Sequence, residues 1–185
     1  MQHVATAWLL VTAFMSVLPP APLTQPQRVG DGLATFEGEL VDLSEGWGEA
    51  TACLVYPGGV ECFRTRGQLA RRELQLFGDV GDPEVEASGD ENALLATCSS
   101  PLRLYDGTYQ TGDTVSVWTR SAWINLSGIG FDNRTSSFRV GACAVDLASG
   151  TWGGGSLYPR CTYAGCEEDV MASGWNNVIS SVYLT

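Results

Sequence analysis

The chain contains no lysine, and its single histidine is His3. All ten of its basic residues are arginine. Without lysine there is no amine for Schiff-base chemistry and no P-loop for phosphates. Without an imidazole beyond residue 3 there is no Ser-His-Asp or Cys-His nucleophile, no histidine zinc ligand and no histidine proton shuttle. The six cysteines include no C-x-x-C pair, which sets zinc aside. A net charge of −11 with no basic patch makes nucleic acid a poor partner. An enzyme built from these residues would have to rely on carboxylates or a bound metal. Glu37, Glu39 and Asp42 are the candidate carboxylates, though no paired constellation stands out.

Long apolar runs are also scarce. The one such run, residues 4–18, is followed by Pro19, Pro20 and Pro22. Its 15 residues fall short of the ~20 that a membrane helix needs, and they fit the apolar core of a secretory signal. The expectation is a signal peptide over 1–21, a flexible Pro-rich leader over 22–35, secretion to the extracellular space, and no membrane association after cleavage. An even cysteine count behind such a signal suggests disulfides formed in an oxidising compartment. Cys53 and Cys62 flank Pro57-Gly58-Gly59, and a two-residue turn at Pro57-Gly58 would set them directly opposite. Cys161 with Cys166 and Cys98 with Cys143 are further candidate pairs, although six cysteines allow 15 connectivities. Asn125-Leu126-Ser127 and Asn133-Arg134-Thr135 match the N-glycosylation pattern. The lysine-free composition and the leader read as bacterial, which sets both aside.

Composition changes along the chain. Residues 31–97 carry fourteen acidic residues against four arginines, and residues 98–185 carry seven against five. In the first part, Thr51–Tyr56 and Val60–Thr65 form a hairpin pattern. Residues 67–77 predict a short helix with Leu69, Leu74 and Phe77 at helical spacing. Residues 78–92 are acidic and glycine-rich, a solvated loop. Residues 36–97 therefore read as a small disulfide-stapled region, hairpin plus helix. From Cys98 onward no long helix is expected. Short alternating runs, such as Leu102 and Leu104 or Val115 and Val117, sit between turn signals and predict half-buried strands packed as a sandwich.

Within that second part a six-residue pattern occurs twice, 44 residues apart. The first copy is Asp132-Asn133-Arg134-Thr135-Ser136-Ser137 after Phe131. The second is Asn176-Asn177-Val178-Ile179-Ser180-Ser181 after Trp175. Asn125-Leu126 falls on Asp169-Val170 at the same offset, and Tyr109-x-x-Gly112 falls on Trp152-x-x-Gly155 at 43. Each unit of 43–44 residues, about 98–141 and 142–185, has room for four short strands, a Greek key. Clustered oxygen donors in a tight loop suit a hard cation such as calcium. Asn, Asp and Ser also form ordinary turns by bonding their own backbone, so it is the matched second copy that raises the metal reading. Trp123, Phe131, Trp152 and Trp175 are expected to pack in the core or on the sheets.

These residues resemble the βγ-crystallin family, two Greek keys in tandem, over residues 98–185. The hexapeptides match that family's calcium motif: two Asn or Asp, two variable residues, Ser or Thr, then Ser. Tyr105 followed by six residues and Gly112 is similar to its aromatic hairpin signature. The second unit departs from it, with Ala148 in the place of Tyr105. The fold class that follows is mainly β: a βγ-crystallin-like double Greek-key sandwich preceded by the small hairpin-plus-helix region. The resemblance implies two calcium ions. Asn133 and the Arg134 carbonyl would serve one, with Ser180 reaching across. Asn177 and the Val178 carbonyl would serve the other, with Ser136 reaching across. Asp132, Ser137, Asn176 and Ser181 would order the loops. A further carbonyl is expected from each first hairpin, near Asp106–Gly107 and Asp146–Leu147. The expected function is a secreted, non-catalytic calcium-binding protein whose ions stabilise the fold. The alternative is a secreted proteinase inhibitor of the same fold, whose partner would be an extracellular protease.

Overall fold

The computed structural model describes residues 32–78 and 98–185. The expected signal, the leader up to residue 31 and the acidic loop from residue 79 lie outside the described residues. Chain order begins with strands β1 (Leu33–Phe36) and β2 (Glu39–Asp42), an antiparallel hairpin. β1 thus starts within the stretch expected to be leader. Its second partner, β4, is parallel and lies some 26 residues on (Thr35 opposite Glu61), a pairing that no local pattern announces.

β3 (Ala52–Tyr56) and β4 (Gly59–Phe63) are joined by the two residues Pro57 and Gly58. That register sets Cys53 opposite Cys62 with Cα atoms 4.0 Å apart, and the two are bridged. Helix α1 (Arg66–Phe77) follows. Thr65 caps it: the Gln68 N–H donates to the Thr65 hydroxyl at 3.2 Å and the Thr65 N–H donates to the Gln68 side-chain Oε1 at 3.1 Å, a reciprocal box that satisfies otherwise unpaired donors. Gly78, at φ 83°, ends it. Its buried positions are Leu69 and Glu73; Leu74, expected on the apolar face, is 52% exposed. The helix is rotated so that the Glu73 carboxylate joins Leu69 against the sheet and Leu74 is turned out.

The second part supplies β5 (Leu102–Tyr105), β6 (Thr114–Val117), β7 (Trp123–Asn125), β8 (Ser137–Arg139), β9 (Val145–Ala148), β10 (Glu167–Glu168) and β11 (Ser181–Leu184). One sheet runs β10-β8-β5-β6-β3-β4-β1-β2, and the other β7-β11-β9. Each Greek key lends its third strand to the other's sheet: β7 joins β9 and β11, and β10 joins β8. The second unit's own second strand is reduced to one bridge, Ala148 to Leu157. It follows the Gly153-Gly154-Gly155 run, whose flexible backbone resists extended pairing.

The β3–β4 hairpin is continuous with the first Greek key. β3 runs parallel to β6 from Ala52 opposite Thr114 to Val55 opposite Val117. Helix α1 then covers the outer face of these strands, so Thr114, Val115, Ser116 and Val117 are all buried rather than alternating. Ser116 and the Trp118 indole N–H (3.0 Å) both donate to the buried Glu73 carboxylate, and Arg103 reaches it at 3.1 Å. Between the sheets, Phe131, Phe138, Leu104, Leu126, Ile129, Leu147 and Ile179 are wholly buried, each worth about 1.5–3 kcal/mol of transfer free energy. Trp47 joins this core, donating to the Ile129 carbonyl at 2.7 Å and stacking on Phe131 at 5.5 Å. Gly130 permits the approach: it sits at φ +64°, and a Cβ there would lie 2.7 Å from the Leu43 carbonyl. Cys98–Cys143 and Cys161–Cys166 are bridged with Cα separations of 5.2 and 5.4 Å. No helix among the described residues is long and apolar enough to cross a membrane.

Candidate metal centre

The two hexapeptides leave the core, turn and re-enter it as β8 and β11. Asn133 and Asn177 occupy the same left-handed conformation, at φ 55° and 57°. Asn tolerates this region better than most residues because its short amide bonds locally. The loops face each other and exchange backbone bonds: the Asn133 N–H donates to the Ile179 carbonyl at 3.0 Å, and the Asn177 N–H to the Thr135 carbonyl at 2.9 Å. Their side chains also cross. The Ser136 hydroxyl donates to Asn177 Oδ1 at 3.0 Å, and the Ser180 hydroxyl to Asn133 Oδ1 at 3.5 Å. The structure therefore brings together the two side-chain pairs that the sequence placed on separate ions. Ser136 and Ser180 are buried, whereas Asn133 and Asn177 are exposed, so both clamps open to solvent.

The final serines work differently. Ser137 donates to the Gly107 carbonyl at 2.6 Å and accepts from the Gln110 N–H at 3.0 Å. Ser181 donates to the Gly150 carbonyl at 2.6 Å and accepts from the Gly153 N–H at 3.0 Å. Each thus ties its hexapeptide to the first hairpin of its own motif. The Ser136 N–H donates to the Tyr105 carbonyl and the Ser180 N–H to the Ala148 carbonyl, both at 2.8 Å. Tyr105 and Ala148 are therefore equivalent despite their different side chains. At that offset of 43 the partner of Asp106–Gly107 is Ser149–Gly150. The hairpin carbonyl expected near Asp146–Leu147 moves accordingly, because Asp146 and Leu147 lie within β9, paired to β11.

The tips of these hairpins correct a second expectation. Tyr109 and Trp152 both have φ 55°, and the next residues, Gln110 and Gly153, are also left-handed, as in a type I′ turn. That geometry turns the aromatic outward: Trp152 is 68% exposed and Tyr109 66%. Phe131 is wholly buried, while Trp123 and Trp175 are half-buried, against Tyr183 and Tyr158 respectively.

Beyond its carbonyl, Arg134 has a side-chain role that the repeat does not reveal. Its guanidinium donates to Asp106 at 2.7 Å, Asp113 at 2.6 Å and the Gly130 carbonyl at 3.1 Å, and lies over the rings of Trp47 and Phe131. Burial alone would lower its pKa, but the two aspartates outweigh burial and raise it, so the charge stays on. Of the candidate catalytic carboxylates, Asp42 is set apart from Glu37 and Glu39 by the length of the β1–β2 hairpin. Asp42 accepts from the Ser44 N–H at one end of the first hairpin, while Glu37 binds Arg64 at the other.

No group of three or more His, Cys, Asp or Glu among the described residues could hold a metal. A cation here would rest on amides, hydroxyls and carbonyls. Two oxygens each about 2.4 Å from a calcium ion and at right angles to it lie roughly 3.4 Å apart, so the Ser–Asn oxygen separations of 3.0 and 3.5 Å fit one edge of such a shell. Asp132 Oδ1 is also buried in the first loop with no partner among the described residues.

The strand order and the exchanged third strands make residues 98–185 a βγ-crystallin-like double Greek key. No family model and no curated protein matches the chain. Solved structures that match include a βγ-crystallin from Ciona intestinalis, at 16% identity and a TM-score of 0.39, covering 46% of this chain and 100% of that one. A βγ-crystallin domain from Flavobacterium johnsoniae gives 19% and 0.39, covering 46% and 94%. One from Clostridium beijerinckii gives 17% and 0.38, covering 46% and 97%.

Proposed function

We propose that the chain is a secreted, non-catalytic calcium-binding protein in which two loop-clamped ions staple the double Greek key. One observation carries the reading: the reciprocal Ser136–Asn177 and Ser180–Asn133 contacts, made between two loops 44 residues apart. Asn133, the Arg134 carbonyl and Ser180 would hold one ion; Asn177, the Val178 carbonyl and Ser136 the other. Asp132, Asn176, Ser137 and Ser181 order the loops. Calcium supplies the positive charge that gathers these oxygens; the residues supply a preformed loop held by backbone bonds. The side-chain ligands are all neutral, which favours weak sites with dissociation constants of roughly 10⁻⁵–10⁻³ M, suited to extracellular calcium. The apolar run at 4–18 and the three disulfides support secretion.

At free calcium 100-fold above the dissociation constant, a site adds about 2.7 kcal/mol of stability, roughly 5–10 °C in midpoint for a chain of this size. Thermal melting with a chelator and over a calcium series up to about 0.1 M, 100-fold above the weakest constant expected, tests this; a midpoint unchanged throughout overturns it. A second reading, a secreted proteinase inhibitor, is favoured by the aromatic turn tips, exposed on a backbone that Ser137 and Ser181 hold firmly. Assays against thermolysin-like and subtilisin-like proteases decide it: inhibition lost in Trp152→Gly supports this reading, and no inhibition removes it.

A further inference from the structure

The two loops share a backbone but not their charges. The first carries Asp132 where the second carries Asn176. Asp132 Oδ2 accepts from the Asn133 amide at 2.9 Å, while Oδ1 is buried and bonded to nothing among the described residues. A buried carboxylate oxygen without a partner is costly, and a cation beside it removes that cost. The same loop buries a second orphan, the Thr135 hydroxyl, where its twin has the apolar Ile179. Asp106 and Asp113 stand behind the first loop where Ser149 and Ser156 stand behind the second. The hairpin bonds are otherwise alike: the Asp113 N–H donates to Asp106 Oδ1 at 2.7 Å, and the Ser156 N–H to the Ser149 hydroxyl at 2.9 Å.

Arg134 offsets only part of this negative charge. Its guanidinium is engaged by Asp106, Asp113 and the Gly130 carbonyl, and is held in place over Trp47 and Phe131. It makes no ion pair with Asp132. Three carboxylates against one guanidinium leave the first loop and its hairpin at −2. The second set, Asn176, Val178, Ser149 and Ser156, is uncharged.

We propose that the two clamps are unequal: the ion held by Asn133, the Arg134 carbonyl and Ser180 binds more tightly than the one held by Asn177, the Val178 carbonyl and Ser136, and Asp132 is the residue that sets the difference. The inference rests on the calcium reading above. One negative charge about 6 Å from a divalent ion in a water-like dielectric changes affinity about tenfold. The difference narrows as salt is added.

Calorimetric titration of the full chain with calcium chloride at low ionic strength tests this, with far-UV circular dichroism confirming that each variant is folded. The wild type is expected to show two steps about tenfold or more apart. Asp132→Asn, which keeps size and shape, weakens the tighter step by about tenfold and leaves the weaker one in place. Ser180→Arg removes the tighter step and Ser136→Arg the weaker one. Two equal steps in the wild type, an unchanged tighter step in Asp132→Asn, or loss of the tighter step in Ser136→Arg overturns the inequality alone. A folded wild type that takes up no calcium at all overturns the calcium reading with it.

Discussion

At its centre the larger sheet of this molecule is sealed on both faces, whereas the smaller sheet is open on its outside. In the sealed sheet, all four residues of β6 are buried, Thr114 and Ser116 included. In the open sheet, β11 alternates: Val182 and Leu184 face the core, while Tyr183 stands half-exposed against Trp123, its cross-strand neighbour. Both sheets are built from the same Greek-key unit, with matching serine and glycine bonds at the hairpins. What seals the first is a covering from outside the unit: β3 and β4 extend it edge to edge, and helix α1 lies over it. The polar side chains that face this helix are accommodated because Glu73 accepts from Ser116 and Trp118 and pairs with Arg103. A repeat can thus keep its backbone while its surroundings decide whether a face is wet or dry.

The comparison breaks most readily at Glu73. Glu73→Ala leaves the Ser116 hydroxyl and the Trp118 N–H without an acceptor beneath the helix, and it should cost about 3–5 kcal/mol, as loss of one partner in a buried network does. Tyr183→Ala on the open sheet should cost about 1 kcal/mol, the scale of an aromatic pair. Denaturant unfolding of both variants measures the contrast; equal losses would mean that the covering contributes nothing special. A second pair of variants sharpens the likeness of the two units. Ser137→Ala and Ser181→Ala each remove one donor to a hairpin carbonyl and one acceptor for a hairpin N–H. Each should cost about 1–3 kcal/mol, and the two losses should agree to within about 0.5 kcal/mol. A clear disagreement would show that the hairpins are equivalent in geometry but not in energy.

The smallest effect is a pH dependence confined to the sealed side. Arg72 grips Glu61 through two hydrogen bonds, of 2.7 and 2.8 Å, and tethers helix α1 to β4. These bonds hold the Glu61 carboxyl below its ordinary value of 4.5; burial opposes them, and the Tyr56 hydroxyl at 2.6 Å assists. A depressed carboxyl contributes stability that is present above the ordinary value and lost as pH falls through the depressed one. Unfolding measured from pH 6 down to pH 3 should therefore fall more steeply for the wild type than for Arg72→Gln, by under about 1 kcal/mol. Parallel curves would show that the tether is silent.

Much of the candidate site is legible in the chain because its information is local. Asn133 and Asn177 need the left-handed region, Ser137 and Ser181 close their own hairpins, and the 44-residue spacing sets the loops in equivalent places. The Pro57-Gly58 turn likewise places Cys53 opposite Cys62. Other features escape because their partners are distant. Ser116 reads as an outward strand position until Glu73, 43 residues away, arrives above it. Leu74 reads as an apolar helix position until the sheet selects Leu69 and Glu73 instead. Trp152 reads as a core or sheet-packing residue, and only the left-handed turn turns it to solvent. Arg134 reads as a free position in the motif, yet its side chain joins Asp106, Asp113 and Trp47.

Periodicity, turn chemistry and the doubled hexapeptide by themselves determined that the second half is a pair of β units with oxygen-rich loops, since each is a property of neighbouring residues. Which sheet would be closed over, which strand would be lent to the other unit, and which carboxylates would gather on Arg134 were decided only when segments remote in the chain met. Burial, pairing and net charge around a loop belong to the contacts formed in three dimensions, and a one-dimensional pattern does not specify them.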